Sequence, residues 1–375
     1  MASPLSKSMR PVLLVECLVD ILGGQRVALQ IADALKGDFP VVLACPGRGQ
    51  LADAARADGL EVRYCPALGD GSPKRLFSNS RQAKKLIADV NPGLIYVNGM
   101  TGLPAMHFAN RSRRVPMILH LHHLVKSPLN RAMLRHIHKR NKGGTSVTCS
   151  ATVAEFCGWP SNEVTVIHNG VDIGRFQESA TDQTAARESL DSNNERFLIC
   201  FIGDIGGIKP HRLVISAALL AAKKNPNLQV IFAGRITPNG EALVAEAKAS
   251  AAQAGVPDLF VFLGWRADLE KIYPACDLTI LGHEEGFPLS GLESAACGTN
   301  LALPDSGGGA ELGQLLGINE RYSAGDADSL ALLINESVRS LSPSNGRRIA
   351  SIVRSRFSTA AFQQRILQLT APKST

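Results

Sequence analysis

The chain has 375 residues, 45% hydrophobic and 19% charged, which leaves room for two ordinary domains of water-soluble composition. No apolar run approaches the ~18 residues of a spanning helix. The eight cysteines are scattered without a C-x-x-C pair, so neither a zinc site nor a disulfide framework is indicated, and a reducing cytoplasm fits. The net charge of +7 is uneven: residues 1–170 hold 21 Lys/Arg against 11 Asp/Glu, and residues 171–375 hold 19 against 22. A basic first half favours an anionic partner, but aromatics at 5% supply no interleaved stacking platform, which excludes a nucleic-acid binder.

The N-terminus, MASPLSKSMRPVLLVECLV, has basic residues and a short β-branched run broken by Glu16. It reads as a first strand, Val12–Cys17, and not as a signal peptide. A loop with Gly23 and Gly24 follows, then a helix Gln25–Lys36 with apolar residues at Val27, Ala28, Ile31, Ala32 and Leu35. Strand, double glycine and helix start make either an amide-lined anion site or a plain βα turn. Further strands are expected at Pro40–Cys45, Glu61–Cys65, Leu94–Asn98, Met117–His120, Ser146–Ser150 and Val164–Ile167. Helices are expected at Leu51–Asp58, Ser80–Asp89 and Ala151–Phe156. The alternation predicts a parallel, doubly wound sheet, without the G-x-G-x-x-G of a dinucleotide fold.

His120–His123 reads HLHH. On a strand His120 and His122 share one face, as two metal ligands would, but no carboxylate or cysteine stands nearby in sequence, so polar residues at a strand end is the plainer reading. Leu129–Lys142 predicts a basic helix, with Leu129, Met133, Leu134 and Ile137 on one face and Arg131, Arg135, Lys139, Arg140 and Lys142 around the other. Such a helix suits an anionic membrane surface or a solvated face of its own domain, and Arg111, Arg113 and Arg114 add charge. Gln177–Glu195 is polar and reads as a linker with one short helix.

The βα pattern then recurs, with strands at Phe197–Gly203, Leu228–Ala233 and Phe260–Leu263 and helices at Leu213–Lys224 and Glu241–Ala252. Asp204–Lys209 is a glycine loop in which Lys209 suits a pyrophosphate counter-charge. Gly282–Thr299, GHEEGFPLSGLESAACGT, follows a short buried strand, Leu278–Leu281. Glu285 and Glu293 stand with seven residues between them, Gly286 and Pro288 break the chain, and a helix starts near Ser290. Open amides at a helix N-terminus suit a phosphate and ionised carboxylates suit hydroxyls, which together describe a sugar nucleotide. Asp305–Glu311, DSGGGAE, reads as a glycine loop before a helix Glu311–Leu316, and helices are expected at Leu330–Leu341 and Phe357–Leu369.

Phe262–Glu311 resembles, in register, the E-x7-E region of the retaining family-four glycosyltransferases of the GT-B fold. The resemblance implies two Rossmann-like doubly wound parallel-sheet domains facing a cleft, an acceptor-side domain 1–172 and a donor-binding domain 173–356, with a C-terminal helix 357–375 crossing back to the first. NGVDIGRF is similar to the family's domain junction, and GGQRVALQIADAL to its opening GGxxR loop, so Gly23 and Gly24 are expected near the donor phosphates. Pro116 and His122 match the family's P-x5-H, which assigns His122 to the donor sugar, where its imidazole would donate to a hydroxyl; His123 stands where the family often has Asp. Gly203 and Lys209 match the family's G-R-x4-K, but Asp204 replaces the Arg; an acid there would repel a pyrophosphate unless it turns away and Arg212 or Arg235 substitutes.

By this resemblance Lys209 neutralises the departing diphosphate, Glu293 accepts ribose hydroxyls, and Glu285 with the loop Gly286, Phe287, Pro288 and Leu289 holds the sugar. The expected activity is retaining transfer from a nucleoside-diphosphate sugar to a glycan or polyprenyl-linked acceptor, without metal or organic cofactor. It would take place in the cytoplasm or at the inner face of the plasma membrane, in surface polysaccharide or glycoconjugate assembly. Asp204 motivates an alternative, a catalytically impaired GT-B protein serving as a binding or scaffold subunit. The basic helix predicts that vesicles containing anionic lipid retain the protein at low salt and release it as salt rises. Absence of retention at every salt concentration would remove the membrane partner.

Overall fold

The computed structural model describes residues 10–370 apart from 142, 178–182, 189, 191–194 and 284, and the backbone alone of Ser161. The chain divides into two compact units, one of residues 1–169 with 359–375 and one of residues 170–358. The first division falls three residues before position 172, and the returning helix starts at Thr359.

Unit 1 runs β1 (Val12–Val15), α1 (Gly23–Leu35), β2 (Val41–Cys45), α2 (Gln50–Ala57), β3 (Glu61–Tyr64), α3 (Leu76–Val90), β4 (Leu94–Asn98), α4 (Leu103–Asn110), β5 (Met117–Leu121), α5 (Pro128–Arg140), β6 (Thr145–Thr148), α6 (Ala151–Cys157) and β7 (Val164–Val166). Its strands form one parallel sheet in the order β3-β2-β1-β4-β5-β6-β7. VLLV, VVLAC and MILHL are buried along their whole length because helices cover both faces, the reason parallel strands read as continuous apolar runs. β3 lies at an edge and carries Glu61 and Arg63, charges that discourage further pairing. Leu134 and Ile137 of α5 are buried, whereas Leu129 is 82% exposed, so only part of the expected apolar face packs. Lys142 lies outside the described residues.

Unit 2 runs α7 (Gln183–Glu188), β8 (Phe197–Ile202), α8 (His211–Ala222), β9 (Leu228–Ala233), α9 (Pro238–Gln253), β10 (Phe260–Phe262), α10 (Leu269–Ala275), β11 (Leu278–Ile280), α11 (Leu289–Ala296), β12 (Asn300–Ala302), α12 (Gly307–Leu316), α13 (Ala327–Ser340) and α14 (Pro343–Arg356). Its parallel sheet has the order β10-β9-β8-β11-β12. The last helix, α15 (Thr359–Thr370), packs on α1 in unit 1, where Gln363 Nε2 donates to Asp33 at 2.7 Å. No helix among the described residues is long and apolar enough to cross a membrane.

Both sheets have a switch point, between β1 and β4 and between β8 and β11, where successive connections run off in opposite directions. In open α/β sheets the crevice at the carboxyl end of such a strand pair is where ligands bind.

The structure differs from the sequence reading in three respects. Gly23 and Gly24 are the first residues of α1, not a loop before it. Gly307–Gly309 open α12, where a loop is expected from glycine's low helix propensity. They are needed for close approach: a Cβ at Gly308 would lie 2.0 Å from the Gly286 carbonyl oxygen, and Gly307 has φ +71. Helices α4, α10 and α14 lie in stretches with no expected element; α10 even contains Pro274.

Arg187, in the stretch read as a linker, is buried and ties unit 2 together. Its Nη2 meets Asp277 Oδ2 at 2.7 Å and its Nε donates to Ala275 O at 3.0 Å, while the same Asp277 oxygen accepts from Leu198 N at 2.8 Å. Removing one member of a buried pair leaves the other uncompensated. Arg187→Met is expected to cost about 3 kcal/mol, lowering the melting temperature of unit 2 by roughly 6–12 °C. A calorimetric shift below about 2 °C would show that the pair is only superficial.

Candidate functional site

At the switch point of unit 1, Glu16 follows directly on β1 and is fully buried. Its Oε2 accepts from Gln25 Nε2 of α1 at 2.9 Å and from Cys17 N at 3.1 Å; its Oε1 accepts from Asn98 Nδ2 at the end of β4. Asn98 Nδ2 also donates to Gly24 O at 2.9 Å, and Asn98 Oδ1 meets His122 Nε2 at 2.6 Å. His122 follows β5, and its ring lies 4.2 Å from that of His120, whose Nδ1 is 2.9 Å from Tyr96 Oη. Burial raises the Glu16 carboxyl to about 7 against its hydrogen bonds, and lowers His120 to about 3. Burial, then the neighbouring His120 and His123, hold His122 well below 6.5, so both imidazoles are neutral at physiological pH. Both histidines already bond within the fold, and among the described residues no three His, Cys, Asp or Glu side chains gather as a metal ligand set.

At the switch point of unit 2, Gly203 follows β8 with φ +148, where a Cβ would stand 2.4 Å from Lys209 Cδ. The glycine lets the Lys209 side chain fold back over the strand end. Lys209 Nζ donates to Ile202 O at 2.7 Å and lies 3.1 Å from Glu285 Oε1, in the loop after β11. The Glu285 contact is an ion pair without hydrogen-bond alignment. The loop leads to Pro288, which caps α11, so the amides of Leu289, Ser290 and Gly291 have no intrahelical acceptor. Glu293 lies in the second turn of α11, is 5% exposed, and its Oε2 accepts from Tyr273 Oη of α10 at 3.1 Å. Asp204 turns to Arg235, which reaches it through Nη2 at 2.9 Å and Nε at 3.2 Å. Arg212, the other expected substitute cation, pairs with Glu246 at 2.7 Å.

Two family profiles match the chain. Glycosyltransferase Family 4 matches residues 21–175, and Glycosyl transferases group 1 matches residues 182–339. The chain belongs to the family 4, group 1 glycosyltransferases. It is 32% identical over 150 residues to a D-inositol 3-phosphate glycosyltransferase of Mycobacterium sp. (strain JLS), covering 39% of this chain and 33% of that protein. It is 33% identical over 150 residues to the lipopolysaccharide core biosynthesis mannosyltransferase LpsB of Rhizobium meliloti (strain 1021), covering 40% and 42%. The matches thus span about a third to two fifths of these relatives' length. In fold, the chain is similar to the Anabaena Alr3699/HepE protein crystallised with UDP and glucose, with a TM-score of 0.79 and 20% identity over 96% of this chain and 98% of that one. The fold is GT-B, with two Rossmann-like parallel-sheet domains.

In this member of the family, the residues singled out from sequence gather at the two switch points: Gly24 and His122 in unit 1, Gly203, Lys209, Glu285 and Glu293 in unit 2. The polar partners that hold them, Glu16, Asn98 and Tyr273, were not singled out. The available signal for Glu16 was a carboxylate in an otherwise apolar strand run, a residue that is almost never fully buried without partners.

Glu16 makes stability pH-dependent. Its folded pKa of about 7 lies above the ordinary 4.5, so the folded chain keeps a proton that the unfolded chain releases. That contribution is present at low pH and lost as pH rises through 7, by about 2–3 kcal/mol between pH 5 and 8. His120, depressed to about 3, acts oppositely and removes stability as pH falls below 6.5. Glu16→Gln is expected to abolish this decline between pH 5 and 8 whatever it does to absolute stability. Urea melts followed at buried Trp159 in a Trp265→Phe background report unit 1 alone. An unchanged slope would show that Glu16 is ionised throughout.

Proposed function

We propose that the protein is a retaining glycosyltransferase that moves a sugar from a nucleoside-diphosphate sugar to a glycan or lipid-linked acceptor. The observation that carries this reading is Lys209, held at the switch point of unit 2 between the Ile202 carbonyl and Glu285, beside the segments that open α8 and α11. Cleaving a glycosidic bond to a diphosphate requires charge stabilisation on the leaving group, and a fixed ammonium with open helix amides supplies it. In this proposal Glu293 accepts from the ribose hydroxyls, and Glu285 with the amides of Phe287 and Leu289 holds the sugar. Gly23, Gly24 and His122 serve the donor from unit 1. Retention without an evident nucleophile implies front-face attack. No metal ion or organic cofactor takes part.

The complex of the Anabaena protein with UDP and glucose supports a uridine nucleotide as the first donor to test. An inositol phosphate glycosyltransferase and a lipopolysaccharide mannosyltransferase among the relatives support a hydroxyl acceptor of the polyol or glycan class, in surface glycoconjugate assembly. Exposed Arg111, Arg113, Arg114, Lys139 and Arg140 in unit 1 support an anionic acceptor or lipid surface, at the inner face of the plasma membrane.

A binding or scaffold role rests on Asp204, and its geometry weakens that role. Asp204 points at Arg235, and the two side chains are 33% and 43% exposed. Such a pair is worth about 0–1 kcal/mol, so a diphosphate can draw the guanidinium to itself at little cost. Without added metal, UDP at about 100 times its dissociation constant is expected to add about 2.7 kcal/mol, a rise of several degrees in the melting temperature of unit 2. Lys209→Met should abolish the rise and Arg235→Ala should weaken UDP about tenfold, whereas Asp204→Ala should leave it unchanged or tighter. If neither UDP, GDP, ADP nor their sugar conjugates move the transition, the scaffold role replaces the enzyme.

A further inference from the structure

The network behind His122 determines which of its nitrogens carries the proton. Gly24 O is a carbonyl and only accepts, so the Asn98 atom 2.9 Å from it is the amide nitrogen. That nitrogen's second hydrogen goes to the Glu16 carboxylate. Both donors of Asn98 are thereby used, and the atom turned toward His122 is the acceptor Oδ1. Opposite an acceptor at 2.6 Å, His122 Nε2 must carry the hydrogen. A neutral imidazole protonated at Nε2 has a bare lone pair at Nδ1. His122 Nδ1 is buried and has no hydrogen-bond partner among the described residues. A buried polar atom without a partner is uncommon and marks a place for a missing one. His122 also lines a cavity of about 130 Å³ with Met100, Leu121, Val125 and Asn130.

We propose that Asn98, oriented by Glu16 and Gly24, is a positioning residue that fixes His122 as the Nε2–H tautomer, so that Nδ1 accepts a hydrogen bond from a substrate hydroxyl. This rests on the reading that His122 meets the donor sugar, and it reverses the expected polarity of the contact: the imidazole accepts, and the sugar donates. The arrangement selects for a hydroxyl at that position, since neither a deoxy carbon nor a fluorine can donate. It also gives the buried carboxylate a task. Oε2 is occupied by Gln25 and Cys17, leaving Oε1 as the fixed acceptor that holds the Asn98 amide in one of its two orientations. Two thiols feel Glu16: burial and then the carboxyl raise Cys17, and burial raises Cys45, with Glu16 the smallest contribution there.

The test is a long-range proton–nitrogen spectrum of the full chain, deuterated and ring-labelled with nitrogen-15 at histidine, without ligand at about pH 8, where Glu16 with its pKa near 7 is ionised and accepts. The His122 signals are identified by their loss in His122→Asn. The expected pattern is a single tautomer, pyrrole-type at Nε2 and pyridine-type at Nδ1. Asn98→Leu, of similar volume, should mix the tautomers and lower kcat with the nucleotide sugar at least about tenfold, with KM for the donor nearly unchanged. Asn98→Asp keeps an acceptor opposite Nε2–H but loses the two amide hydrogens. Set against Glu16 it shares one proton with that carboxyl, which replaces one of the lost bonds, so it should restore the single tautomer and part of kcat. A proton on Nδ1 in the unaltered protein overturns the proposal, and so does an Asn98→Leu variant with wild-type tautomer and kcat. If Asn98→Leu does not fold, the spectra of the unaltered chain and of Asn98→Asp still decide. An unchanged turnover in His122→Asn overturns the sugar contact, separately from the tautomer.

Discussion

A carboxylate buried at the end of β1 sets the terms for unit 1. Desolvating an ionised carboxylate without partners costs several kcal/mol. Glu16 is tolerated because three donors from three places converge on it: Cys17 N beyond β1, Gln25 in the first turn of α1, and Asn98 at the end of β4. Each donor fixes an element. Gln25 sets where α1 starts, which is why Gly23 and Gly24 lie inside the helix. Asn98 ties β4 to the Gly24 carbonyl, and through its oxygen it holds the His122 ring. Even with these bonds, burial keeps the Glu16 pKa near 7, so the network holds the carboxyl without fully stabilising its charge.

Unit 2 meets the same topological situation with a cation. Its switch point lies between β8 and β11, and the residue folded over the strand end is Lys209, tied to the Ile202 carbonyl and paired with Glu285. Parallel strands end with carbonyl groups that have no next strand residue to serve. A crevice there is polar whatever the sequence, and the side chains decide which charge it favours. In unit 1 the strand ends carry amides, imidazoles and a carboxyl that burial discourages from ionising. In unit 2 they carry an ammonium, a guanidinium and two carboxylates at the glycine turns.

The two sheets were legible because fully covered parallel strands leave unbroken apolar runs, and because βα repeats leave helical spacing between them. The E-x7-E stretch was legible because its spacing is local. What stayed hidden depends on distance in the chain. Glu16 and Asn98 are 82 residues apart, Asn98 and His122 are 24 apart, and nothing near Glu16 in sequence announces the donors that make its burial tolerable. Arg187 was read as part of a polar linker because its partner, Asp277, comes 90 residues later. Gly307–Gly309 were misread for a different reason. Glycine marks a loop by propensity, but these glycines serve backbone contact with the Glu285–Gly286 loop, where Gly308 N donates to Glu285 O at 2.9 Å.

Burial sorts the charged groups of the site into those that hold shape and those free to move. Glu293 is 5% exposed and accepts from a buried tyrosine whose pKa burial raises further, so rearranging it would strand polar groups in the interior at about 1–3 kcal/mol each. The Asp204–Arg235 pair is more than a third exposed on its arginine side and contributes at most about 1 kcal/mol. Lys209 and Glu285, at 23% and 19% exposure, lie between these cases, with the ammonium anchored by the Ile202 carbonyl even if the carboxylate swings away. An anion arriving at the β8–β11 crevice would therefore meet a fixed Glu293, a Lys209 that stays and exchanges one partner, and an Arg235 that can change partners outright. In the proposed donor site Asp204, where the family motif has Arg, would be tolerable for this reason: the acid is paired with a surface arginine and the lysine keeps its anchor on the Ile202 carbonyl.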